Sequence, residues 1–221
     1  MRIRWYGQSS FLLNGEQAVF IDPFSASLSA SGRFHYPPIE GVVADLLLVT
    51  HEHGDHNAVE AVGGEPTVLR APGTHESSIG EVVGIASEHD PAAGTQRGPN
   101  TIFRFVLDGL SVAHLGDFGQ SALRPEQRSA LGDVDVLFLP IGGGPTVGGE
   151  EAAALVRELD PRLVVPMHYR TEAVDFLEPP DAFLAAMAAP ISRLDSSEAD
   201  AEPLLGERGE PMIALLAPPL H

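Results

Sequence analysis

The chain contains no cysteine and no lysine among its 221 residues. Without cysteine it cannot form disulfides, thiolate metal sites or a cysteine nucleophile. Without lysine it cannot use Schiff-base chemistry or the lysine of Walker-type phosphate loops. All 13 basic residues are therefore arginines, and 31 acidic residues give a formal net charge of −18. Because phosphate contacts need clustered positive charge, we expect a partner other than nucleic acid or a membrane.

Long apolar runs are also absent from the sequence. No window reaches the roughly 18 apolar residues that a membrane-spanning helix requires. The segment MRIRWYGQSSFLLNGEQ turns polar before it could form the apolar region of a secretory signal. These absences predict a cytoplasmic protein. Hydrophobic residues make up 43% of the chain, and no linker divides it, so we expect one domain over residues 1–221.

Alternating apolar residues and turn signals predict many short strands in the first half. Asn14-Gly15 and Asp108-Gly109 are typical of β-hairpin turns. The apolar run at 45–50 predicts a strand buried on both faces. Residues 57–62 predict one or two helical turns, and residues 25–38 a surface loop. The predicted strands cover residues 10–13, 18–21, 45–50, 67–70, 81–86, 101–107 and 111–115.

Strands and helices alternate in the second half. Predicted helices cover 125–131, 150–159 and 181–188, with Asp181 as N-cap of the last. Predicted strands cover 134–139, 163–166 and 211–217, and residues 195–202 predict a polar loop. A faint duplication is visible, since a strand ending in Asp and then a buried strand occur at 18–53 and again at 111–143. This order favours two packed sheets with helices outside.

The segment THEHGDH is the densest cluster of candidate ligands. His51, His53, Asp55 and His56 follow directly after the apolar run DLLLVT. Residues two apart in an extended segment point the same way, so His51 and His53 can converge on one ion. Imidazole and carboxylate are the ligands that a borderline dication takes when thiolate is absent. An exposed His-rich turn is the alternative interpretation, and we favour a metal site.

This segment resembles the metal-binding signature of the metallo-β-lactamase-fold hydrolases, and that family's later motifs follow in order. EHD at 88–90 follows a predicted strand, GD at 116–117 resembles the motif whose Asp bridges two ions, and PMHY at 166–169 resembles the final motif. The resemblance implies an α/β (α+β) fold. It is a four-layer αββα sandwich in which two mixed sheets pack face to face beneath outer helices.

The resemblance also implies a binuclear site and a mechanism. The implied ligands are His51, His53 and His89 on one ion, Asp55, His56 and His168 on the other, and Asp117 between them. Zinc is the default for so many histidines, with manganese and iron open because all ligands are N or O. A hydroxide between the ions would attack the substrate, and Asp55 would orient that water or move its proton.

The substrate is less well defined by the sequence. The strings FIDPF, VAHLGD, LFLPIGG and VVPMHY resemble the branch that includes the L-ascorbate-6-phosphate lactonase. That resemblance implies hydrolysis of a small-molecule ester, lactone or phosphodiester bond. A nucleic-acid-processing phosphodiesterase and a metal-binding protein without turnover are the alternatives. Phe34, Tyr36 and Phe118 are candidates for the interface of a homo-oligomer.

Other polar residues carry weaker signals. Strand spacing favours a packed, hydrogen-bonded role for His114. Asp22 either orients a histidine ligand or initiates a turn, and Asp90 either supports His89 or caps the following loop. GGG at 142–144 predicts a close backbone approach near the metal edge. His35, His75 and His221 are expected in exposed positions, with a pocket-lining role as the alternative for His35.

Overall fold

Alternating apolar residues build the first of two mixed sheets in the computed structural model, which describes residues 1–29 and 34–219. β1 (Arg2–Gly7), β2 (Ser10–Asn14) and β3 (Ala18–Ile21) are antiparallel neighbours. β3, β4 (Leu46–Leu48) and β5 (Thr67–Leu69) run parallel. Every second residue faces the other sheet, as the two-residue period of a strand requires. Within the described residues the strands lie in the spatial order β13 (Glu198–Asp200), β1 (Arg2–Gly7), β2 (Ser10–Asn14), β3 (Ala18–Ile21), β4 (Leu46–Leu48) and β5 (Thr67–Leu69).

The second sheet is larger and repeats the same change of direction. β6 (Gly73–Ser77), β7 (Gly80–Glu88), β8 (Pro99–Leu107) and β9 (Leu110–His114) are antiparallel neighbours. Beyond β9 the neighbours β10, β11, β14 and β12 all run parallel to it. In the described part of the chain the order is β12 (Ile191–Arg193), β14 (Met212–Leu215), β11 (Leu163–Met167), β10 (Val136–Pro140), β9 (Leu110–His114), β8 (Pro99–Leu107), β7 (Gly80–Glu88) and β6 (Gly73–Ser77).

Helices cover the outer face of the larger sheet. The acidic first turn of α3 (Gly149–Leu159) complements the helix dipole, and its apolar face is buried in the core. α4 (Asp181–Met187) packs against α3, and α2 (Pro125–Leu131) packs against β7. α1 (Ala26–Ser29) and 3₁₀ turns at Val59–Ala61 and Glu202–Leu204 complete the described helical segments. Two mixed sheets with outer helices confirm the predicted fold class.

The aromatic core joins the two sheets. Phe11 of β2 lies with its ring centroid 4.7 Å from that of Phe138 on β10, and it stacks on Trp5 of β1. All three side chains are buried. A second cluster covers the outer face of the smaller sheet, where Phe24, Phe34 and Tyr36 pack edge to face or tilted. The outer face of the smaller sheet is therefore covered mainly by segments that lie outside helices and strands.

The duplication expected from the sequence is visible in the topology. In the first half β3 is followed by its parallel neighbour β4, and in the second half β9 is followed by its parallel neighbour β10. Each of these pairs is preceded by antiparallel strands in its sheet. Asp22 follows β3 and Asp117 lies just beyond β9. The two carboxylates thus occupy corresponding places in the two sheets.

Several predictions of local structure were wrong in detail. Residues 195–202 were expected to form a loop, but Glu198–Asp200 is strand β13. It forms because the free edge of β1 supplies hydrogen bonds, and Glu198 pairs with Arg2 and Arg4. β1, β6 and β12 lay outside the predicted strands. Residues 57–62 contain only a 3₁₀ turn, and Pro180 rather than Asp181 is the N-cap of α4.

The proposed interface residues were also wrong. Phe34 is 4% exposed, and Tyr36 and Phe118 are fully buried. The sequence around them predicted loops, yet Phe34 and Tyr36 pack in the cluster on the outer face of the smaller sheet, and Phe118 packs in the core between the sheets. Part of the predicted loop 25–38, residues 30–33, lies outside the described residues. Among those that are described, no helix has the length and apolarity needed to cross a bilayer.

The contact between Phe11 and Phe138 gives a test of the core. Phe11→Ala is expected to lower the free energy of unfolding by about 3–5 kcal/mol, because it leaves a cavity between the sheets. Val106→Ala is the control, since Val106 on β8 is 42% exposed, and a change below about 0.5 kcal/mol is expected. Urea denaturation of both variants measures the difference. Equal losses would contradict this account of the core.

Candidate metal centre

The candidate ligands all follow strands that end at one edge of the sandwich. Residues 51–56 follow β4, His89 follows β7, and His168 follows β11. Asp117 follows β9 after a short turn. Because β7, β9, β10 and β11 share one direction in their sheet, their carboxyl ends lie together. The fold therefore brings four loops from both sheets to the same place.

Asp117 lies at the centre of this cluster. Its Oδ2 lies 3.1 Å from Nε2 of His89 and 3.2 Å from Nε2 of His168. The same oxygen lies 3.4 Å from Nε2 of His56 and 3.9 Å from Nε2 of His51. One carboxylate oxygen thus faces four imidazole nitrogens from both sheets.

The seven predicted residues form overlapping groups with ligand spacing. In each group the candidate ligand atoms lie within 4.8 Å of one another. The groups are His51, His53 and His89; His51, His56 and Asp117; and Asp55, His56 and His168. The first and third groups correspond to the two ligand sets that the sequence implied, and Asp117 lies between them.

Asp22 fixes the proton positions of two histidines. Its Oδ2 accepts from the Thr50 hydroxyl at 2.7 Å and from Nδ1 of His56 at 3.0 Å, and its Oδ1 accepts from the Thr50 amide at 2.8 Å. The Thr50 hydroxyl has one proton and gives it to Asp22, so it accepts from Nδ1 of His51 at 3.0 Å. His51 and His56 therefore each carry a proton on Nδ1 and direct Nε2 toward the cluster.

His89 is oriented in the same way by the main chain. Its Nδ1 donates to the carbonyl oxygen of Pro145 at 2.9 Å, which leaves Nε2 free to face Asp117. A hydrogen bond to the far ring nitrogen is the usual means of orienting a metal-binding histidine. Three imidazoles are therefore oriented as ligands by residues outside the cluster.

Asp117 is held in place from two sides. Its Oδ1 accepts from the Ser9 hydroxyl at 3.1 Å, and its amide donates to Oδ1 of Asn100 at 3.1 Å. Gly116, with φ 58°, must be glycine here, because a Cβ would collide with Asn100 and lie 2.7 Å from Cβ of Thr50. The turn that presents Asp117 is consequently rigid.

Burial and charge set the protonation of the cluster. Burial, and after it the neighbouring His56, lower the pKa of His51 to about 2. Burial opposes charge on His56 too, but the carboxylates of Asp117, Asp55 and Asp22 raise the pKa of His56 well above its usual value. Burial likewise opposes ionisation of Asp117, yet His168 and His56 hold its pKa well below the usual range. The cluster thus favours anionic carboxylates balanced by a cation.

The donor set fits a divalent metal ion. Nε2 of His56 is buried and has no hydrogen-bond partner among the described residues. Nε2 of His51 lies 3.0 Å from Nδ1 of His53, and His51 already carries its proton on the other nitrogen. Imidazole nitrogens and carboxylate oxygens that converge in this way are the arrangement that a zinc-like cation satisfies.

The weaker sequence signals are resolved by the structure. His114 is buried and donates from Nε2 to the carbonyl oxygen of Ser9 at 3.0 Å, as expected for a packed residue. Asp22 orients His56 rather than only initiating a turn. Asp90 caps the following loop, because its carboxylate accepts from four backbone amides.

The glycine run and the outlying histidines are also placed. A Cβ on Gly142 would collide with the carbonyl oxygen of His168, which confirms the predicted close approach. His35 is exposed, as expected. His75 is half-buried on β6 and bonds the carbonyl oxygen of Ala71, so its predicted exposure was wrong. His221 lies outside the described residues.

Four contributors to the site were missed by sequence reasoning. Thr50 could have been found, because it precedes His51 directly and follows the buried strand. Ser9, Asn100 and the carbonyl of Pro145 had no local signal. Their partners lie 108, 17 and 56 positions away in the chain, respectively.

A cavity of about 300 Å³ lies beside the cluster and is partly lined by His51 and His53. Arg70 and Arg97 line the same cavity. Arg70 forms an ion pair with Glu52 at 2.8 Å. The Arg97 side chain is exposed and has no acidic partner within the described residues. Among the described residues that line the cavity, Arg97 is therefore the arginine without an ion-pair partner.

Comparison with known proteins gives a consistent result. A model of the beta-lactamase superfamily domain matches residues 2–168. A UPF0173 metal-dependent hydrolase of Thermococcus kodakarensis is 34% identical over 203 residues, covering 77% of this chain and 85% of the relative. Another from Methanosarcina mazei is 32% identical and covers 86% and 92%.

The fold also matches a crystal structure of similar size. It belongs to a Thermotoga maritima protein described as a proposed zinc-dependent hydrolase of the metallo-β-lactamase superfamily. The TM-score is 0.76 with 28% identity, and the match covers 97% of each chain. The described sheets and helices therefore follow an arrangement already seen by crystallography.

The role of Asp22 leads to a test. Asp22→Asn replaces one acceptor oxygen by an NH₂ group that faces N–H or O–H donors, so the metal-free protein should lose about 2–4 kcal/mol of unfolding free energy. Affinity for zinc should fall about 10–100-fold, because His51 and His56 lose their fixed protons.

Asp45→Asn is the matched control for this test. Asp45 is exposed, and an Asn there keeps the oxygen that accepts from the Ala18 amide. A loss below about 1 kcal/mol and unchanged zinc affinity are expected. Urea denaturation and competition with a chelator measure the two quantities. Unchanged zinc affinity in Asp22→Asn would contradict the orienting role.

Proposed function

The chain belongs to the beta-lactamase superfamily, among the UPF0173 metal-dependent hydrolases, and on that premise we propose that it hydrolyses a small-molecule ester, lactone or phosphodiester bond at a two-metal site. The observation that carries the proposal is the convergence of four imidazole nitrogens on Oδ2 of Asp117. A carboxylate in that position suits a bridge between two cations. Zinc fits the histidine-rich donor set best.

The side chains would share the work in distinct ways. His51, His53 and His89 would hold one cation, Asp55, His56 and His168 the other, and Asp117 both. When bound, the cations supply Lewis-acid activation of water and of the bond that it attacks. Asp22, Thr50 and Pro145 keep Nε2 of His51, His56 and His89 directed inward.

Asp55 is the candidate catalytic residue of this chain. Its side chain is 31% exposed, and its Oδ2 lies 3.5 Å from Nε2 of His56. Burial opposes its ionisation, but the charge of His56 holds the pKa of Asp55 below its usual range. Such a carboxylate stays ionised and accepts hydrogen bonds well. We therefore assign Asp55 to orienting the attacking water.

The cavity beside His51 favours a small substrate. Its volume of about 300 Å³ is at the lower end of ordinary small-molecule sites. Of its two arginines Arg70 is paired with Glu52, and the whole chain carries a net charge of −18. A nucleic acid would meet little positive charge here, whereas one anionic group could pair with Arg97.

Metal content and ligand variants test the proposal together. Protein purified without chelator or a His-tag should carry close to two zinc, manganese or iron ions, measured by mass spectrometry. His53→Ala and Asp117→Ala should each lose metal and lower turnover of an ester, lactone or phosphodiester by more than about 100-fold.

His75→Ala is the matched control for the ligand variants. His75 lies on β6, outside the three ligand groups. It should keep the metal content and the turnover of the parent protein. Failure of the parent protein to take up metal on reconstitution would overturn the proposed mechanism.

Arg97 gives a separate prediction about substrate charge. Arg97→Gln should raise KM for an anionic substrate about 10-fold, because the cavity loses its unpaired charge, and should leave KM for a neutral ester unchanged. Arg193→Gln, at the far edge of the larger sheet, is the control. A parallel rise for neutral and anionic substrates would show that Arg97 does not select charge.

A further inference from the structure

Gln8 lies beside the candidate ligands without an assigned role. It occupies the turn between β1 and β2, where its main-chain oxygen accepts from Nε1 of Trp5 at 2.9 Å and from the amide of His168 at 3.3 Å. It is 1% exposed, and its φ of 48° lies in the left-handed region. Such strain in a residue other than glycine persists only where the surroundings enforce it, and it is common at functional sites.

The side-chain amide of Gln8 is buried and unpaired. Neither Oε1 nor Nε2 has a hydrogen-bond partner among the described residues. Burying an amide without a partner destabilises the folded state, and a methionine of similar shape would avoid that loss. A buried amide in this condition requires an explanation, such as a nearby group that it can pair with.

His168 has the complementary deficiency. Nδ1 of His51, His56 and His89 each has an acceptor, namely Thr50, Asp22 and the carbonyl of Pro145. Nδ1 of His168 is buried and has none within the described residues. Its Nε2 faces Asp117, so a ligand role for Nε2 requires the proton on Nδ1. Among the histidines of the described cluster whose Nε2 lies near Asp117, His168 is thus the one whose Nδ1 has no hydrogen-bond partner.

The other unpaired buried polar groups fit His168 less well. Nε of Arg104 is a donor only and cannot accept a proton from imidazole. Ser111 lies near the start of β9, at the opposite end of that strand from the site. Ser10 neighbours Gln8 but lies within β2. Gln8 already contacts the main chain of His168 and offers an amide oxygen.

From these contacts we propose that Gln8 is the positioning partner of His168. Its Oε1 accepts the Nδ1 proton of His168, directly or through one water, and thereby holds Nε2 as a metal ligand. This contact supplies the fourth histidine with the kind of acceptor that the other three already have. The ligand role of Nε2 rests on the proposed two-metal function, whereas the proton position can be measured in the metal-free protein.

Histidine ¹⁵N NMR of the metal-free protein reads that proton position directly. The His168 signals are assigned by their loss in His168→Gln. In the parent protein Nδ1 of His168 should carry a proton. Gln8→Met should shift His168 toward the form protonated only on Nε2 and lower zinc affinity about 10-fold or more. Gln8→Glu keeps an acceptor oxygen and should restore the parent tautomer and affinity.

Ser10→Ala is the matched control, since it removes another buried, unpaired polar group from the same turn. It should leave both the tautomer and zinc affinity unchanged. An Nδ1–H tautomer retained in Gln8→Met, or a shift caused by Ser10→Ala instead, would overturn the proposal. If the parent protein proved inactive but the tautomer depended on Gln8, the proposed function would fail and the positioning role would stand.

Discussion

The buried carboxylate of Asp22 is the interaction on which the arrangement of the site depends. It lies at the end of β3, fully buried, and accepts three hydrogen bonds from Thr50 and His56. Through Thr50 it also controls His51, so one carboxylate sets two imidazoles. Charge-assisted hydrogen bonds of this kind are stronger than neutral ones and are worth most away from water. The loop 51–56 can therefore be irregular in its backbone and still hold its side chains in fixed positions.

The parallel strand pairs explain why such a site forms at this edge. β3 with β4 and β9 with β10 end together, and each pair carries a carboxylate at the same relative place. Asp22 contacts Nδ1 of His56, whereas Asp117 lies near Nε2 of the same ring, so similar positions have different tasks. Ser9 and Asn100 then hold Asp117, and both come from turns or strands adjacent to this edge.

The sequence predicted what is encoded locally. The ligand residues of 51–56 lie within one short segment, and His89, Asp117 and His168 each follow a recognisable strand. Both hairpins followed from turn residues, whereas the fold class followed from the resemblance of the ligand motifs to a known family. The ligand role itself stays a prediction, while the convergence of these residues is a structural fact.

Contacts between distant segments could not be predicted in this way. Ser9 meets Asp117 across 108 positions, and nothing in the local sequence around either residue indicates the pairing. Polar Glu198–Asp200 becomes a strand only because β1 offers a free edge and two arginines. Phe34 and Phe118 appeared to be loop residues and proved to be core residues, since burial depends on what packs above them.

The position of the cluster on the seam between the two sheets links ion binding to the cohesion of the whole sandwich. Residues 51–56 belong to the smaller sheet, and His89, Asp117 and His168 belong to the larger one. A cation that binds side chains from both sheets binds only when the sheets are together. By mass action, binding of the cation would therefore add to the free energy of unfolding of the sandwich. Availability of the ion in the surroundings would then regulate the lifetime of the folded chain as well as its chemistry.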